Sequence, residues 1–303
     1  MANTDKRNQN LMGLIKKVHG ILENTDLEKH RQSQAHVGAL LGNSKEIEYR
    51  DVDIDGMHGE WACVNRAHMK KYVILYCHGG GYSTGSSLYG RTLTSKLAAC
   101  TSMDVLSFDY RLAPEHPYPA AVEDGLKAWD YLMLTGYGAR DVIVVGDSAG
   151  GNLALVLVHK LKEQERLLPR GLVLFSPWTD MTCSGRSYET RADVDPVLSR
   201  EYIDRMISAY TGSEEPSGEM LKDPFISPLF GEFDRFPPTY IQVGSNEILL
   251  ADSQMLHKKM VKANVSVKLD EYKGMWHVFQ MSPFKTAFEA MEKNAEFIYD
   301  ICR

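Results

Sequence analysis

From about residue 46 onward, short apolar runs alternate with longer amphipathic runs along the chain. Eight apolar or alternating runs predict strands, at 46–54, 60–66, 71–77, 103–109, 141–146, 170–176, 238–244 and 265–272. Apolar residues at helical spacing predict helices at about 87–100, 120–135, 149–164, 251–263 and 284–301. The first two strands read as an antiparallel pair across Asp55-Gly56. Together the pattern predicts an α/β fold with a mainly parallel, eight-stranded sheet and helices on both faces.

Two segments depart from this alternation. Residues 11–22 carry apolar side chains at helical spacing ahead of the first strand. The interval 181–236 separates two strands by far more than a usual crossover, and it contains a helical run at 199–211. We expect residues 185–225 and the N-terminal helices to form a cap. The alternatives are a helix that only packs on the body and a surface excursion without contact to the site.

The segment 146–150, which reads Gly-Asp-Ser-Ala-Gly, directly follows an apolar strand and precedes a helical run. G-x-S-x-G in a strand–turn–helix context is a nucleophile elbow, in which glycines permit a turn that lifts the serine hydroxyl clear of the sheet. The N–H groups at the start of the next helix point toward that hydroxyl. Ser148 is therefore predicted to attack a carbonyl. The alternative is an ordinary glycine-rich turn.

A glycine loop follows the strand at 71–77, where residues 78–81 read His-Gly-Gly-Gly. Glycines without side chains let backbone N–H groups approach a developing oxyanion. In hydrolases with this elbow, one donor comes from such a loop and one from the residue after the nucleophile. We therefore predict Gly79, Gly80 and Ala149 as the oxyanion donors. A flexible turn is the alternative, and a phosphate-binding loop fails on spacing because position 84 is Thr.

A base and an acid are needed beside the serine, and with this elbow they follow it in the order acid, then histidine. His277 lies on a loop after the last predicted strand. Glu247 is the first choice for the acid because it lies close to the end of the strand at 238–244, and a carboxylate there would orient the imidazole. Asp252 is the second choice, although it reads equally well as a helix N-cap. Asp180 is a more distant third.

Four motifs resemble those of the hormone-sensitive-lipase-like esterases, the bacterial family IV group. They occur in the family's order, at 78–81 (HGGG), 109–115 (DYRLAPE), 146–150 (GDSAG) and 274–277 (GMWH). The resemblance covers about residue 45 to the C-terminus and implies an α/β-hydrolase fold with a helical cap. It implies a catalytic domain at 46–303 with the cap insertion at 185–225, and a contribution of residues 1–45 to the cap.

The resemblance also implies hydrolysis of carboxylic esters by a Ser/acid/His triad on Ser148, Glu247 and His277. Many members carry Asp at the position of Asn246, whereas a subset uses Glu one residue later, as here. We expect a small-molecule ester with a short acyl chain as the substrate, an acyl-enzyme intermediate, and no metal or organic cofactor. An amidase, lactonase or carbamate hydrolase would use the same triad. A non-catalytic small-molecule receptor on the same scaffold is disfavoured because His277 is present.

The composition argues against some kinds of binding partner and cellular location. The net charge of −6 and the lack of a long basic run argue against nucleic acid. Five cysteines without a paired spacing are typical of reduced thiols, and the polar N-terminus lacks the apolar core of a secretory signal. No run approaches the ~18 apolar residues of a membrane helix, so we expect a cytoplasmic protein without membrane insertion. Members of the family that this chain resembles often form dimers, so a homodimer is possible, and the sequence does not decide the oligomeric state.

Overall fold

The chain forms one sheet of eight strands in this computed structural model, which describes residues 12–17, 19–20, 25–66, 68 and 70–303. The strands are β1 (Ile47–Ile54), β2 (Met57–Val64), β3 (Val73–Cys77), β4 (Asp104–Phe108), β5 (Val142–Asp147), β6 (Gly171–Phe175), β7 (Thr239–Gly244) and β8 (Val267–Tyr272). Their order across the sheet is β1-β2-β4-β3-β5-β6-β7-β8. All eight predicted strands are confirmed.

The sheet is mainly parallel, as predicted. β1 and β2 form an antiparallel hairpin in which Ile54 faces Met57, and β2 pairs antiparallel with β4. The remaining neighbours, from β4 through β3 to β8, are all parallel. Every residue of β3, β4, β5 and β6 is buried. Continuous burial is typical of parallel strands that helices cover on both faces.

Helices cover the sheet and extend beyond it. They are α1 (Leu27–Leu41), α2 (Ser87–Thr101), α3 (Ala120–Leu134), α4 (Ala149–Glu163), α5 (Ser187–Thr190), α6 (Arg200–Thr211), α7 (Gly218–Leu221), α8 (Leu250–Lys262) and α9 (Lys285–Cys302). Neighbouring residues of β5 belong to different core clusters, Val144 to one and Val145 to the other. Side chains alternate across a strand, so the two clusters lie on opposite faces of the sheet.

The N-terminal segment and the long interval both contain helices. Residues 12–17 and 19–20 are helical, in agreement with the helix predicted at 11–22, whereas residues 11, 18, 21 and 22 lie outside the described residues. The sequence did not single out α1, which starts at the N-cap Asp26. The helix predicted at 199–211 is confirmed as α6. In the described part of the chain, no helix combines the length and apolar character that a membrane crossing needs.

The strand directions gather the predicted site residues at one edge. Because β3, β5, β6, β7 and β8 run parallel, the residues that follow them meet at the carboxyl edge of the sheet. The glycine loop follows β3, Ser148 follows β5, Glu247 follows β7 and His277 follows β8. These segments come from across the chain, and the fold alone brings them together.

Candidate active site

Ser148 occupies a strained turn between β5 and α4. Its backbone has φ 55° and ψ −121°, a conformation that L-residues rarely adopt. The flanking glycines are required by space, because a β-carbon on Gly146 would lie 2.2 Å from the Gly150 carbonyl oxygen. A β-carbon on Gly150 would lie 2.0 Å from the carbonyl oxygen of Cys77, the last residue of β3. The elbow therefore presses directly on the strand that leads into the glycine loop.

Ser148, His277 and Glu247 form a continuous hydrogen-bonded chain. His277 Nε2 lies 2.9 Å from Ser148 Oγ, and His277 Nδ1 lies 2.8 Å from Glu247 Oε2. An ionised carboxylate can only accept, so Nδ1 carries the proton and Nε2 is left to accept the serine hydroxyl. Ser148 is 9% exposed, His277 is 7% exposed and Glu247 is fully buried. This arrangement can transfer the proton of Ser148 to the imidazole as the oxygen attacks.

Glu247 is fixed by further donors on its other oxygen. Oε1 accepts the hydroxyl of Ser176 at 2.8 Å and the N–H of Gly244 at 2.6 Å. The Ser176 oxygen in turn accepts the N–H of Val278 at 3.2 Å, one residue beyond His277. A single side chain thus links the acid to the backbone beside the base.

The two other candidate acids contact different groups. Asp252 Oδ2 accepts the N–H groups of Thr179 and Asp180 at 2.8 Å and 2.9 Å, and burial raises its pKa well above the usual value. Its reading as a helix N-cap is wrong, because α8 is capped by Leu249 and Asp252 lies in the first turn, fully buried. Asp180 accepts hydrogen bonds from Thr182 and Ser184. Of these three carboxylates, the structure brings Glu247 to the imidazole.

His277 lies among buried carboxylates that favour its protonated form. Burial alone would lower the pKa of His277, but the hydrogen bond to Glu247 and the charges of Glu247, Asp195 and Asp147 outweigh burial and raise it above its usual value. A raised pKa makes the imidazole a stronger base toward the serine hydroxyl, provided that the pH is high enough to keep it neutral.

The glycine loop lies beside the elbow, with one of its predicted donors already engaged. The N–H of Gly79 donates to Asp147 Oδ1 at 2.9 Å, which argues against its prediction as an oxyanion donor. Gly80 and Gly81 adopt φ of 114° and 61°. Among the described residues, the N–H groups of Gly80, Gly81 and Ala149 meet no acceptor. These three N–H groups thus have no partner in the described part of the chain, and that of Ala149 directly follows the nucleophile.

Asp147 organises the base of this loop. Besides the N–H of Gly79, its Oδ1 accepts the hydroxyl of Tyr76 at 2.5 Å, and the carboxylate is fully buried. Burial raises the pKa of Asp147 to about 6, although hydrogen bonds and the charge of His277 oppose the rise. His78 supports the loop, since its Nδ1 lies 2.8 Å from the carbonyl oxygen of Gly79 and its ring stacks on Tyr110.

Helix α6 contacts the glycine loop, and the N-terminal helix contacts the segment that carries His277. A side chain added to Gly81 would meet Met206 Cγ at 2.7 Å, and Tyr210 stacks on Tyr82 with ring centroids 3.8 Å apart. Met12 and Ile15 pack against the apolar cluster that contains Met275, Trp276 and Phe279. Met275, Trp276 and Phe279 are all buried.

Sequence reasoning missed three residues of the site. Ser176 follows β6 directly, so its place at the carboxyl edge was the available signal. Gly81 belongs to a triple glycine whose members cannot be ranked without backbone angles. Asp147 lies inside the G-x-S-x-G motif, where it occupies a variable position, and no sequence signal marks it as a partner of the glycine loop.

Comparisons with known proteins identify the family of this chain. Residues 74–281 match the sequence profile of a family described as alpha/beta hydrolase fold. An esterase of Acinetobacter venetianus is 38% identical over 260 residues, covering 85% of this chain and 84% of the relative. An acetyl-hydrolase of Streptomyces hygroscopicus is 34% identical, covering 84% and 83%.

Solved structures extend the likeness to almost the whole chain. A crystal structure of an esterase from the bacterial hormone-sensitive lipase family is 31% identical with a TM-score of 0.86, and it covers 96% of both chains. A hormone-sensitive lipase from a metagenome library is 33% identical with a TM-score of 0.88, covering 97% of this chain and 98% of its own. The chain therefore belongs to the alpha/beta hydrolase family, in the hormone-sensitive-lipase-like group that its four motifs indicated.

Proposed function

We propose that this protein is a serine carboxylesterase that hydrolyses short-chain esters of small molecules through Ser148, Glu247 and His277. The observation that carries the proposal is the unbroken hydrogen-bonded chain from Ser148 Oγ through His277 to Glu247 Oε2. The names of the relatives, which include an esterase and an acetyl-hydrolase, support ester hydrolysis and a short acyl group.

The reaction proceeds in two acyl-transfer steps. His277 Nε2 takes the hydroxyl proton as Ser148 Oγ bonds to the ester carbonyl carbon. The carbonyl oxygen becomes an oxyanion, and we assign its stabilisation to the N–H groups of Gly80, Gly81 and Ala149. The bond to the alcohol breaks, and His277 gives its proton to the leaving oxygen. Water then attacks the acyl-enzyme with His277 again as base, and Ser148 regains its proton as the acid leaves.

We assign residues 185–225 and the N-terminal helices to a cap over this site. Support comes from Met206 beside Gly81, from the stack of Tyr210 on Tyr82, and from the hydrogen bond that Lys16 Nζ donates to the Asp193 carbonyl at 2.9 Å. A cap excludes water and shapes the acyl and alcohol pockets. The cytoplasmic location and a homodimer stay predictions of the sequence.

The test is hydrolysis of p-nitrophenyl acetate, butyrate, octanoate and palmitate by the wild type and four variants. We expect turnover of the short esters, abolished in Ser148→Ala and His277→Ala, with losses on the order of 10⁴-fold or more in kcat. Glu247→Gln should lose far more activity than Asp252→Asn, a matched control that alters a buried carboxylate five residues away. A folded wild type that turns over none of these esters would overturn the proposal.

A fluorophosphonate that reacts with activated serines separates an enzyme from a receptor. An esterase should be labelled at Ser148, and labelling should disappear in Ser148→Ala and His277→Ala. If p-nitrophenyl esters are inert but Ser148 is labelled, the same triad serves another acyl substrate, and amides, lactones and carbamates are the next candidates. If Ser148 is not labelled, the alternative of a non-catalytic small-molecule receptor is favoured over an enzyme.

A further inference from the structure

Two residues between β6 and β7 form hydrogen bonds with the backbone of Ile248, the residue that follows Glu247. Asp195 Oδ2 accepts the N–H of Ile248 at 2.8 Å. The hydroxyl of Ser187 donates to the carbonyl oxygen of the same residue, and its oxygen accepts the N–H of Ala251 at 2.9 Å. Both backbone groups of Ile248 are therefore bound by residues that precede α6 in the chain.

Asp195 is a buried carboxylate whose hydrogen bonds within the described residues all come from backbone N–H groups. It is 2% exposed, and its Oδ1 accepts the N–H groups of Val197 and Leu198 at 2.8 Å and 3.0 Å. Three N–H groups converge on two oxygens that can only accept. An amide at this position would turn its NH₂ group against one of these donors, so the carboxylate is what this place in the fold requires.

The bonds at Ile248 complete the restraint of the acid. The side chains of Ile248 and Glu247 are both fully buried, and the carboxylate of Glu247 is already held by Ser176 and Gly244. Asp195 adds a fixed point on the backbone one residue away. A shift of that backbone would change the distance between Glu247 Oε2 and His277 Nδ1, which is now 2.8 Å.

We propose that Asp195 is a positioning residue for ester hydrolysis, which through the N–H of Ile248 holds Glu247 against His277, with Ser187 as its partner on the Ile248 carbonyl. This inference rests on the proposed function. It gives the segment 187–198 a second task beside covering the site, since the cap then also sets the geometry of the catalytic acid.

The charge of Asp195 provides a readout that a purely structural role would not move. The titratable groups that act on His277 are Glu247, Asp195 and Asp147, and His19 of the N-terminal helix senses His277 in turn. Neutralising Asp195 removes one anion that favours imidazolium, so the pKa of His277 should fall. The acid limb of the kcat/KM profile should then move to lower pH.

The experiment compares Asp195→Asn and Ser187→Ala with the wild type, using p-nitrophenyl butyrate. We expect Asp195→Asn to lower kcat by about 10-fold or more, with KM within about twofold, and to shift the acid limb downward. Ser187→Ala leaves the carboxylate in place and should lower kcat by a few-fold without that shift. Asp234→Asn is the matched control, since Asp234 is an exposed carboxylate between α7 and β7, outside the segments assigned to the cap, and pairs with Lys162; it should behave as wild type.

A double-variant cycle decides whether Asp195 acts through Glu247. If it does, Asp195→Asn should have no further effect on kcat in a Glu247→Gln background, because the acid it positions is gone. Losses that multiply, or an Asp195→Asn protein with wild-type kcat and pH profile, would overturn the inference. Ser187→Ala gives the same cycle if Asp195→Asn fails to fold.

The rate of Ser148 labelling by a fluorophosphonate repeats the comparison without any ester. If the wild type itself hydrolyses none of the esters, that result counts against the proposed function and not against the positioning role. Equal labelling rates for the wild type, Asp195→Asn and Ser187→Ala would count against the positioning role, whatever the substrate proves to be.

Discussion

The carboxylate of Asp147 and the N–H of Gly79 are joined by a hydrogen bond of 2.9 Å, which ties the residue before the nucleophile to the first glycine of the loop. Both the Gly79 N–H and the Tyr76 hydroxyl bind the same oxygen, Oδ1. The bond uses up one N–H of the loop and fixes the orientation of those that follow. The position of the N–H groups proposed as oxyanion donors therefore depends on Asp147, a buried carboxylate outside the proposed triad.

Asp147→Ala and Asp147→Asn should separate geometry from charge. Alanine removes both hydrogen bonds, and we expect kcat to fall by about 10-fold or more. Asparagine can keep both on its single oxygen, so kcat at pH 8 should stay within a few-fold of wild type. Steady-state kinetics with p-nitrophenyl acetate checks this, and equal losses in the two variants would contradict the role assigned to Oδ1.

The pH profile should report the raised pKa of His277. The base works only when neutral, so kcat/KM should fall as the pH drops through this pKa, and the midpoint should lie above the ordinary value of about 6.5. In Glu247→Gln the hydrogen bond to a carboxylate and its charge are lost, so the midpoint of the residual activity should move down. A midpoint that stays in place, or rises, would mean that Glu247 does not govern the imidazole.

Ser176 should affect both activity and backbone strain. Its φ of 46° is in the region that favours glycine, and its hydroxyl links Glu247 to the N–H of Val278. Ser176→Ala and Ser176→Gly both lose the hydroxyl, so kcat should fall by about 10-fold in each. Glycine also relieves the strain, so thermal unfolding of Ser176→Gly should occur at a temperature no lower than that of Ser176→Ala. The opposite order of melting temperatures would show that the backbone is not strained there.

Acid should weaken the attachment of α1 to the body. Arg31 donates to both oxygens of Glu115, and this hydrogen bond lowers the pKa of Glu115 to about 2 from an ordinary 4.5. A carboxylate with a lowered pKa stabilises the fold above its unfolded pKa and loses that effect as the pH falls through the folded value. Glu115 is 52% exposed, so we expect Glu115→Gln to lower the melting temperature at pH 7 by only about 2 °C or less.

That difference between Glu115→Gln and wild type should shrink as the pH is lowered from about 4.5 toward 2. Arg31→Ala should cost more stability, because Arg31 also donates to the carbonyl oxygens of Ser83 and Ala113. Melting curves over this pH range check both statements, and a gap that widens in acid would contradict them.

The strands and the nucleophile elbow were predicted best, because each depends on a hydrophobic run or a motif of a few consecutive residues. The buried strands are continuous apolar runs, and β5 with its elbow carries a motif whose glycines the turn needs for space. Ser148, Glu247 and His277 were singled out from their places after strands, and the structure brings them into hydrogen-bond contact. The bounds of α1 were not predicted, because its exposed face carries apolar side chains such as Leu40 and Leu41, and these weaken the amphipathic pattern.

Other features depend on contacts between distant residues. Which glycine of the loop donates to an oxyanion follows from the bond between Gly79 and Asp147, 68 residues apart. Asp195 lies 53 residues from Ile248, in a polar stretch where an aspartate reads as a solvated surface residue. Only the folded chain shows that its carboxylate is enclosed.

The contact between Gly150 and the end of β3 has a consequence for engineering. The elbow and the end of β3 therefore abut directly, through a contact that involves neither α6 nor the N-terminal helix. Segments of related esterases can therefore be exchanged without altering the contact between Gly150 and Cys77. Because Asp195 and Ser187 bind the backbone after Glu247, we expect the best junction for a chimera to lie after Leu198. A chimera that imports 199–225 from another esterase would keep Ser148, Glu247, His277 and the bonds at Ile248, and would exchange Met206 and Tyr210, which contact the glycine loop and Tyr82.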